Sequence, residues 1–251
     1  MTPALVTELV KLSRATVARA TTVILVVGIS LICSSMLLAT NTADPQVAAK
    51  LGPLIDPGGW AGYLTVAAQV TSAGGLLGCG VMLSWMFGRE FADGTITGLF
   101  ALPVSRPTIA AAKLLIYLAW LMICSTAMLA ALVVFGLAFG LGPIPAAAAP
   151  ALGRQFVLVI LTGVIALPVA WAATIGRSIL TGIAVAVGLL VLSQIAVVAG
   201  AGPWLPFSVP ALWAISGGTD VAAIRLALVV PIAITSAALA MLSWRNLQLD
   251  R

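Results

Sequence analysis

Arg89, Glu90, Phe91, Asp93, Gly94 and Thr95 stand within seven residues of one another, and Arg106 and Lys113 follow. Such a set suits recognition better than bond making. The chain has no histidine, which removes imidazole acid–base catalysis, Ser-His and Cys-His nucleophiles and histidine metal sites. Glu90 and Asp93 alone are too few to hold a catalytic metal. No Gly-x-x-x-x-Gly-Lys-Ser/Thr loop is present to cradle nucleotide phosphates. Cys33, Cys79 and Cys124 fall inside apolar runs without metal-ligand spacing and read as small buried hydrophobes. Phe91, Thr95, Leu99 and Leu102 lie close together on one helix face. Pro103 ends that helix, and Ser105 can cap the next. Apolar knobs flanked by charge make a docking helix for a soluble partner.

The elements that must position this segment are membrane spans. The 251 residues are 62% hydrophobic and only 8% charged, against about 25% charged in soluble domains. Such a surface needs lipid as its solvent. Six apolar runs reach the roughly 20 residues needed to cross: residues 21–39, 63–87, 114–139, 156–175, 179–199 and 226–244. The fold class is therefore an all-α integral membrane protein, a six-transmembrane-helix bundle forming one domain over 1–251. With the N-terminus inside, nine Lys and Arg fall on the inner side (Lys11, Arg14, Arg19, Arg89, Arg106, Lys113, Arg177, Arg245, Arg251) and three outside (Lys50, Arg154, Arg225). This asymmetry predicts both termini in the cytoplasm and explains the net charge of +5 without nucleic acid. The first run is read as a retained span, not a cleaved signal.

Residues 1–20 form an expected amphipathic interfacial helix, with Leu5, Val6, Leu9 and Leu12 on one face and Thr7, Glu8, Lys11 and Arg14 on the other. Residues 88–113 are the longest and most charged inner loop. The outer loop around Asp44, Lys50 and Asp56 is rich in Pro and Gly, as is 140–153. Residues 200–223 carry an aromatic, proline-broken run, read as an outer re-entrant or interfacial segment with Trp204 and Trp213 at headgroup level. Gly176-Arg177-Ser178 is a tight helical hairpin. Pro168 and Pro231 predict kinks. Ser72, Gly74, Gly75, Gly78 and Gly80 predict close packing of the second span in a bundle or a dimer. Gln69 and Gln194 are the polar span residues best suited to line a path, because an amide in lipid needs a partner.

The run Arg89-Glu90-Phe91, Asp93-Gly94-Thr95, Leu102-Pro103-Val104-Ser105-Arg106 and Lys113 resembles the corresponding segment of ABC-2 type transporter permeases, the membrane subunits of type V-like ABC exporters. The layout of an interfacial helix, six spans and an outer segment before the last resembles theirs too. The resemblance implies that a separate ABC ATPase subunit binds ATP and Mg while this chain holds no cofactor. It implies that this chain forms half of a translocation path beside a second permease copy or a related chain. Arg89, Glu90, Phe91, Asp93, Gly94 and Thr95 would couple the ATPase motion to the spans. The setting would be a bacterial-type plasma membrane and the direction export. The apolar spans suit a hydrophobic or amphipathic cargo: a drug, a peptide antibiotic or a lipid. Two alternatives share the composition. One is an ion-driven carrier working as an oligomer, against which stands the lack of ionisable residues in the six runs. The other is a structural or regulatory membrane partner without transport.

Overall fold

Long uninterrupted runs of Leu, Val, Ile and Ala leave helix as the one way for a single segment to satisfy its own backbone in lipid. The computed structural model describes residues 2–40, 58–100 and 103–248. The expectations resting on Asp44, Lys50, Asp56, Leu102 and Arg251 lie outside them. Among the described residues there is no strand.

Helix α1 (Thr2–Arg14) ends where Ala15 turns extended at φ −75° and ψ 127°. Six helices long and apolar enough to cross a membrane include α2 (Thr16–Ala39), α3 (Gly59–Ala92), α5 (Arg106–Ala138), α6 (Ala146–Ile175), α7 (Ile179–Val198) and α9 (Ala223–Arg245). Short helices α4 (Ile96–Phe100) and α8 (Val209–Ile215) lie in the connections. Several of the long helices run past the apolar windows. In particular, α3 continues through Ala92 and α5 already begins at Arg106, so much of the expected 88–113 loop is helical overhang. The connection itself is a turn at Asp93–Thr95, α4, and the segment before Arg106. Outward-facing Ile123, Val134, Leu180, Ile195, Val198 and Ile234 stay exposed, as expected of a bundle whose remaining contact is lipid.

Helix α3 is the hub, and its glycines set the distances. A Cβ on Gly78 would stand 2.6 Å from Leu25 Cδ2 of α2, and one on Gly88 would stand 2.6 Å from the Ile179 backbone nitrogen. Gly80 faces Ala186, and Ser84 faces Gly182. The small-residue stripe thus brings α2 and α7 against α3 inside one bundle. Hydroxyls link other helices: Tyr63 donates to the Leu132 carbonyl (3.2 Å) and Tyr117 to the Gly163 carbonyl (2.8 Å).

The two prolines act differently. α6 breaks after Ile165 and restarts at Pro168, where the missing N–H leaves no bond to lose. Pro231 produces no mid-span kink, because the regular helix begins only at Val229 after a tighter turn over Ala223–Leu228. The proline sits in a first turn whose N–H groups have no intrahelical partner anyway. At the α6–α7 hairpin Arg177 adopts φ 49° and donates to the Gln248 carbonyl at 2.7 Å.

In the 200–223 segment a turn at Gly202–Trp204 leads into α8, which packs on α3 and α6. Trp204 points outward under the Arg225 guanidinium, 4.5 Å from its ring centre. Trp213 turns inward against Ala68, Leu158 and Ala214.

Candidate functional site

Glu90, one turn from the end of α3, is the centre of a closed set of charges. Its Oε1 accepts from Lys11 Nζ at 2.8 Å and from Lys113 Nζ at 3.0 Å, and its Oε2 accepts from Thr95 Oγ1 at 2.6 Å. Glu8 completes the set. It accepts from Lys11 at 3.1 Å through Oε1 and from Lys113 at 2.9 Å through Oε2. Glu90 and Lys113 are each 1% exposed and Glu8 is 4% exposed. Two ammonium and two carboxylate groups cancel, so desolvation is met by near-ideal pairing. The third face of the Lys113 ammonium lies 5.8 Å from the Trp244 ring centre, within cation–π reach. Burial would by itself lower the pKa of Lys11. The hydrogen bond to Glu90 and the charges of Glu8 and Glu90 outweigh that, and its pKa is raised above the ordinary lysine value.

Four helices converge here. α1 supplies Glu8 and Lys11, α3 supplies Glu90, α5 supplies Lys113 and α9 supplies Trp244. Trp244 is itself fixed by donation to Thr174 Oγ1 at 3.2 Å and by an edge-on contact with Phe87, ring centres 6.2 Å apart. Because the face of α1 that carries Glu8 and Lys11 turns inward, Val6 and Leu9 are left exposed. Helix α1 is therefore amphipathic in a sense different from a helix with solvated charges: the charges seek partners in the bundle.

The remaining residues of the 89–95 segment fall around this centre. Asp93 caps α3, and Gly94 ends it at φ 67°, a left-handed geometry that favours glycine. Arg89 stacks on Trp85, 4.7 Å from the ring centre, and its Nε lies 3.7 Å from Asp93 Oδ2. That is an ion pair too long for a hydrogen bond. The Asp93 side chain is 53% exposed, and Phe91 is half-buried. The apolar face of α4 is formed by Ile96 and Leu99, both buried, while Thr95 is exposed and faces Glu90 with its hydroxyl. A groove of about 230 Å³ lies between α1 and this connection, with Pro3, Ala4, Leu99, Pro103, Val104 and Ile109 in its walls.

The path residues are not brought together. Gln69 is half-buried on α3, and Gln194 is exposed on α7, beside a space of only about 30 Å³ lined also by Ser72, Ser193 and Phe207. Gln155, outside the apolar windows, is instead the buried amide. It is 2% exposed and donates to Thr71 Oγ1 at 2.8 Å, and among the described residues its Oε1 has no partner. Glu8, Lys11 and Lys113 were legible as charges flanking spans but not as one site.

The model of the ABC-2 family transporter proteins matches residues 4–193, from α1 into α7. The chain belongs to this ABC-2 transporter family. A 58-residue stretch is also 36% identical to the bacitracin transport permease protein BCRB of Bacillus licheniformis. The stretch covers 23% of the present chain and only 28% of that relative. An ABC-2 family chain with six apolar helices is a multi-pass membrane subunit of a transporter in a bacterial-type plasma membrane. The charge cluster lies wholly inside the matched part of this ABC-2 permease.

Proposed function

We propose that this permease is the membrane half of an ATP-driven exporter. It pairs with a second permease copy or a related chain, and ATP with Mg is bound and hydrolysed on a separate ABC ATPase subunit. Both termini and the Glu90 end of the bundle face the cytoplasm. Arg89, Glu90, Phe91, Asp93, Gly94 and Thr95 carry the ATPase motion to the spans. The observation behind this reading is the Glu8–Lys11–Glu90–Lys113 set, which joins α1, α3 and α5 into one unit directly behind the exposed turn at Asp93–Thr95. A push on the turn or on the groove beside α1 would move three helices together. The cargo is read as hydrophobic or amphipathic, a drug, a peptide antibiotic or a lipid. The name of the bacitracin permease relative is in keeping with the second.

The test is affinity purification of the permease from its own membranes, followed by mass spectrometry and an ATPase assay. A co-purifying ATPase in roughly equal amount is the expected outcome; a chain that comes out alone from intact membrane complexes sinks the reading. Asp93→Ala is the informative variant, because its half-exposed side chain can be removed with little effect on folding. ATP-driven transport should fall several-fold while insertion is unchanged. Transport at the unaltered rate would take Asp93 out of the coupling set.

Orientation has its own test. Cys33, Cys79 and Cys124 are free and buried, so single cysteines can be introduced on a quiet background. Thr97→Cys and Thr219→Cys place exposed thiols near opposite ends of the bundle. An impermeant maleimide added to intact cells should label position 219 and spare 97. The reverse pattern would invert the proposed topology.

A further inference from the structure

At the end of the bundle opposite Glu90 a cavity of about 350 Å³ opens between the start of α3, the start of α6 and the end of α8. Helix rise along α3 puts it roughly 45 Å from the charge cluster. Its walls are mostly apolar, with Trp60, Leu64, Ala151 and Ile215 among them, yet Arg154 and Gln155 stand side by side in the lining. Both have polar atoms that the fold leaves unused. Among the described residues, Arg154 Nε and Gln155 Oε1 are buried and have no hydrogen-bond partner. Buried polar groups are almost always paired, and an unpaired one calls for an explanation. Nothing in the helix packing requires an arginine here, since among the described residues no ion pair forms with it.

We propose that this cavity binds an amphiphile with an anionic head. The guanidinium of Arg154 takes the phosphate or carboxylate, the Gln155 amide takes a neighbouring hydroxyl or amide, and the chain lies against Trp60, Leu64 and Ile215. The pairing follows from donor chemistry. Arginine has donors and no acceptor, in a planar fork that matches such anions. A side-chain amide, held on one side by Thr71, offers its other atom to a polar head. An inorganic anion would satisfy Arg154 but would leave the apolar walls and Gln155 unmatched. The site deepens the permease reading by giving the class of molecule met on this side, whether a bilayer phospholipid or an exported anionic amphiphile. The binding itself needs no ATPase.

The chain, purified alone in neutral detergent, is titrated with dioctanoyl phosphatidylglycerol, uncharged dioctanoylglycerol and inorganic phosphate. Tryptophan emission reports binding, since Trp60 is in the wall. Phosphatidylglycerol should bind about tenfold or more tighter than dioctanoylglycerol, which has the same chains and no phosphate, the usual scale for one charge-assisted hydrogen bond. Arg154→Gln should abolish the preference and Arg154→Lys should retain most of it, each with an unchanged thermal midpoint. Gln155→Leu should weaken phosphatidylglycerol several-fold. Preference that survives Arg154→Gln overturns the assignment, as does phosphate that displaces the lipid at equal concentration. Because no ATPase is present, failure here leaves the proposed exporter role standing, and failure of co-purification leaves this site standing. Phosphatidylglycerol stands for the bilayer source, and repeating the titration with dodecyl phosphate distinguishes it from a single-chain cargo. Equal binding of all the amphiphiles, charged or not, would reduce the cavity to a greasy cleft and end the proposal.

Discussion

Glu90→Ala is expected to destabilise the permease by about 3–5 kcal/mol, the scale for removing one partner from a buried charge pair. The loss strands Lys113, which is 1% exposed, with Glu8 as its remaining carboxylate. It also takes from Lys11 its shorter contact, the one of 2.8 Å. Two ammonium groups then share a single anion, and of the two only Lys11, whose side chain is 23% exposed, is reached by water. Helix α1 should loosen first, because among the four charges it contributes two and its Val6 and Leu9 are exposed instead of packed inward. The measurement is a thermal unfolding curve in detergent, combined with the rate at which a protease cuts within residues 1–15. A midpoint unchanged from wild type and no new cutting would show that the cluster is solvated in solution. The joint replacement Glu90→Met with Lys113→Met separates net charge from pairing. It leaves Glu8 and Lys11 as an i,i+3 pair and fills the vacated space with apolar atoms, so it should recover most of the loss. If the joint variant is folded but ATP-driven transport stays low, the cluster serves the motion and not only the stability.

Gly88→Ala should be among the most damaging single methyl groups that can be added to α3. Its Cβ would meet the Ile179 nitrogen at 2.6 Å, the Ile179 Cα at 2.8 Å and the Ser178 carbonyl carbon at 2.9 Å. All three are backbone atoms, so no side-chain rotation relieves the clash, and α7 itself must shift away from α3. Overpacking of this kind costs about 1–3 kcal/mol, and the displaced segment is the start of α7, where Ser178 Oγ accepts from the Leu180 N–H at 3.1 Å. Gly98→Ala is the control. Among the described residues nothing lies within 4 Å of its Cβ position, and alanine favours the helix by up to ~1 kcal/mol. Thermal midpoints of the two variants should therefore move in opposite directions. Equal midpoints for Gly88→Ala and wild type would mean that α3 and α7 are not in contact at this level.

The spans were legible because lipid imposes a length and a polarity on every residue of a run, and both can be read locally. The helix ends were less so. α3 runs on to Ala92 and α5 starts at Arg106, because charged residues past the hydrocarbon are still good helix formers. For the same reason Gln155, preceded by Arg154 and three prolines, looked like loop although Pro150 starts a helix instead of ending one. Glu90 and its neighbours could be singled out through a family resemblance, but what Glu90 touches could not. Its partners are 79 residues before it and 23 after it, and no periodicity connects positions so far apart. Glu8 and Lys11 were misread for a related reason. A polar helix face is ordinarily turned to water, and only the matching charges on α3 and α5 reverse that rule.

The order of these residues along the chain has a consequence for biosynthesis. Glu8 and Lys11 leave the ribosome first, Glu90 follows, and Lys113 is made 105 residues after Glu8. Until the third membrane helix has emerged, the two acidic groups have one ammonium between them. The N-terminal helix can thus reach its final seat only after half the bundle has been inserted, so its docking is not the first step of assembly.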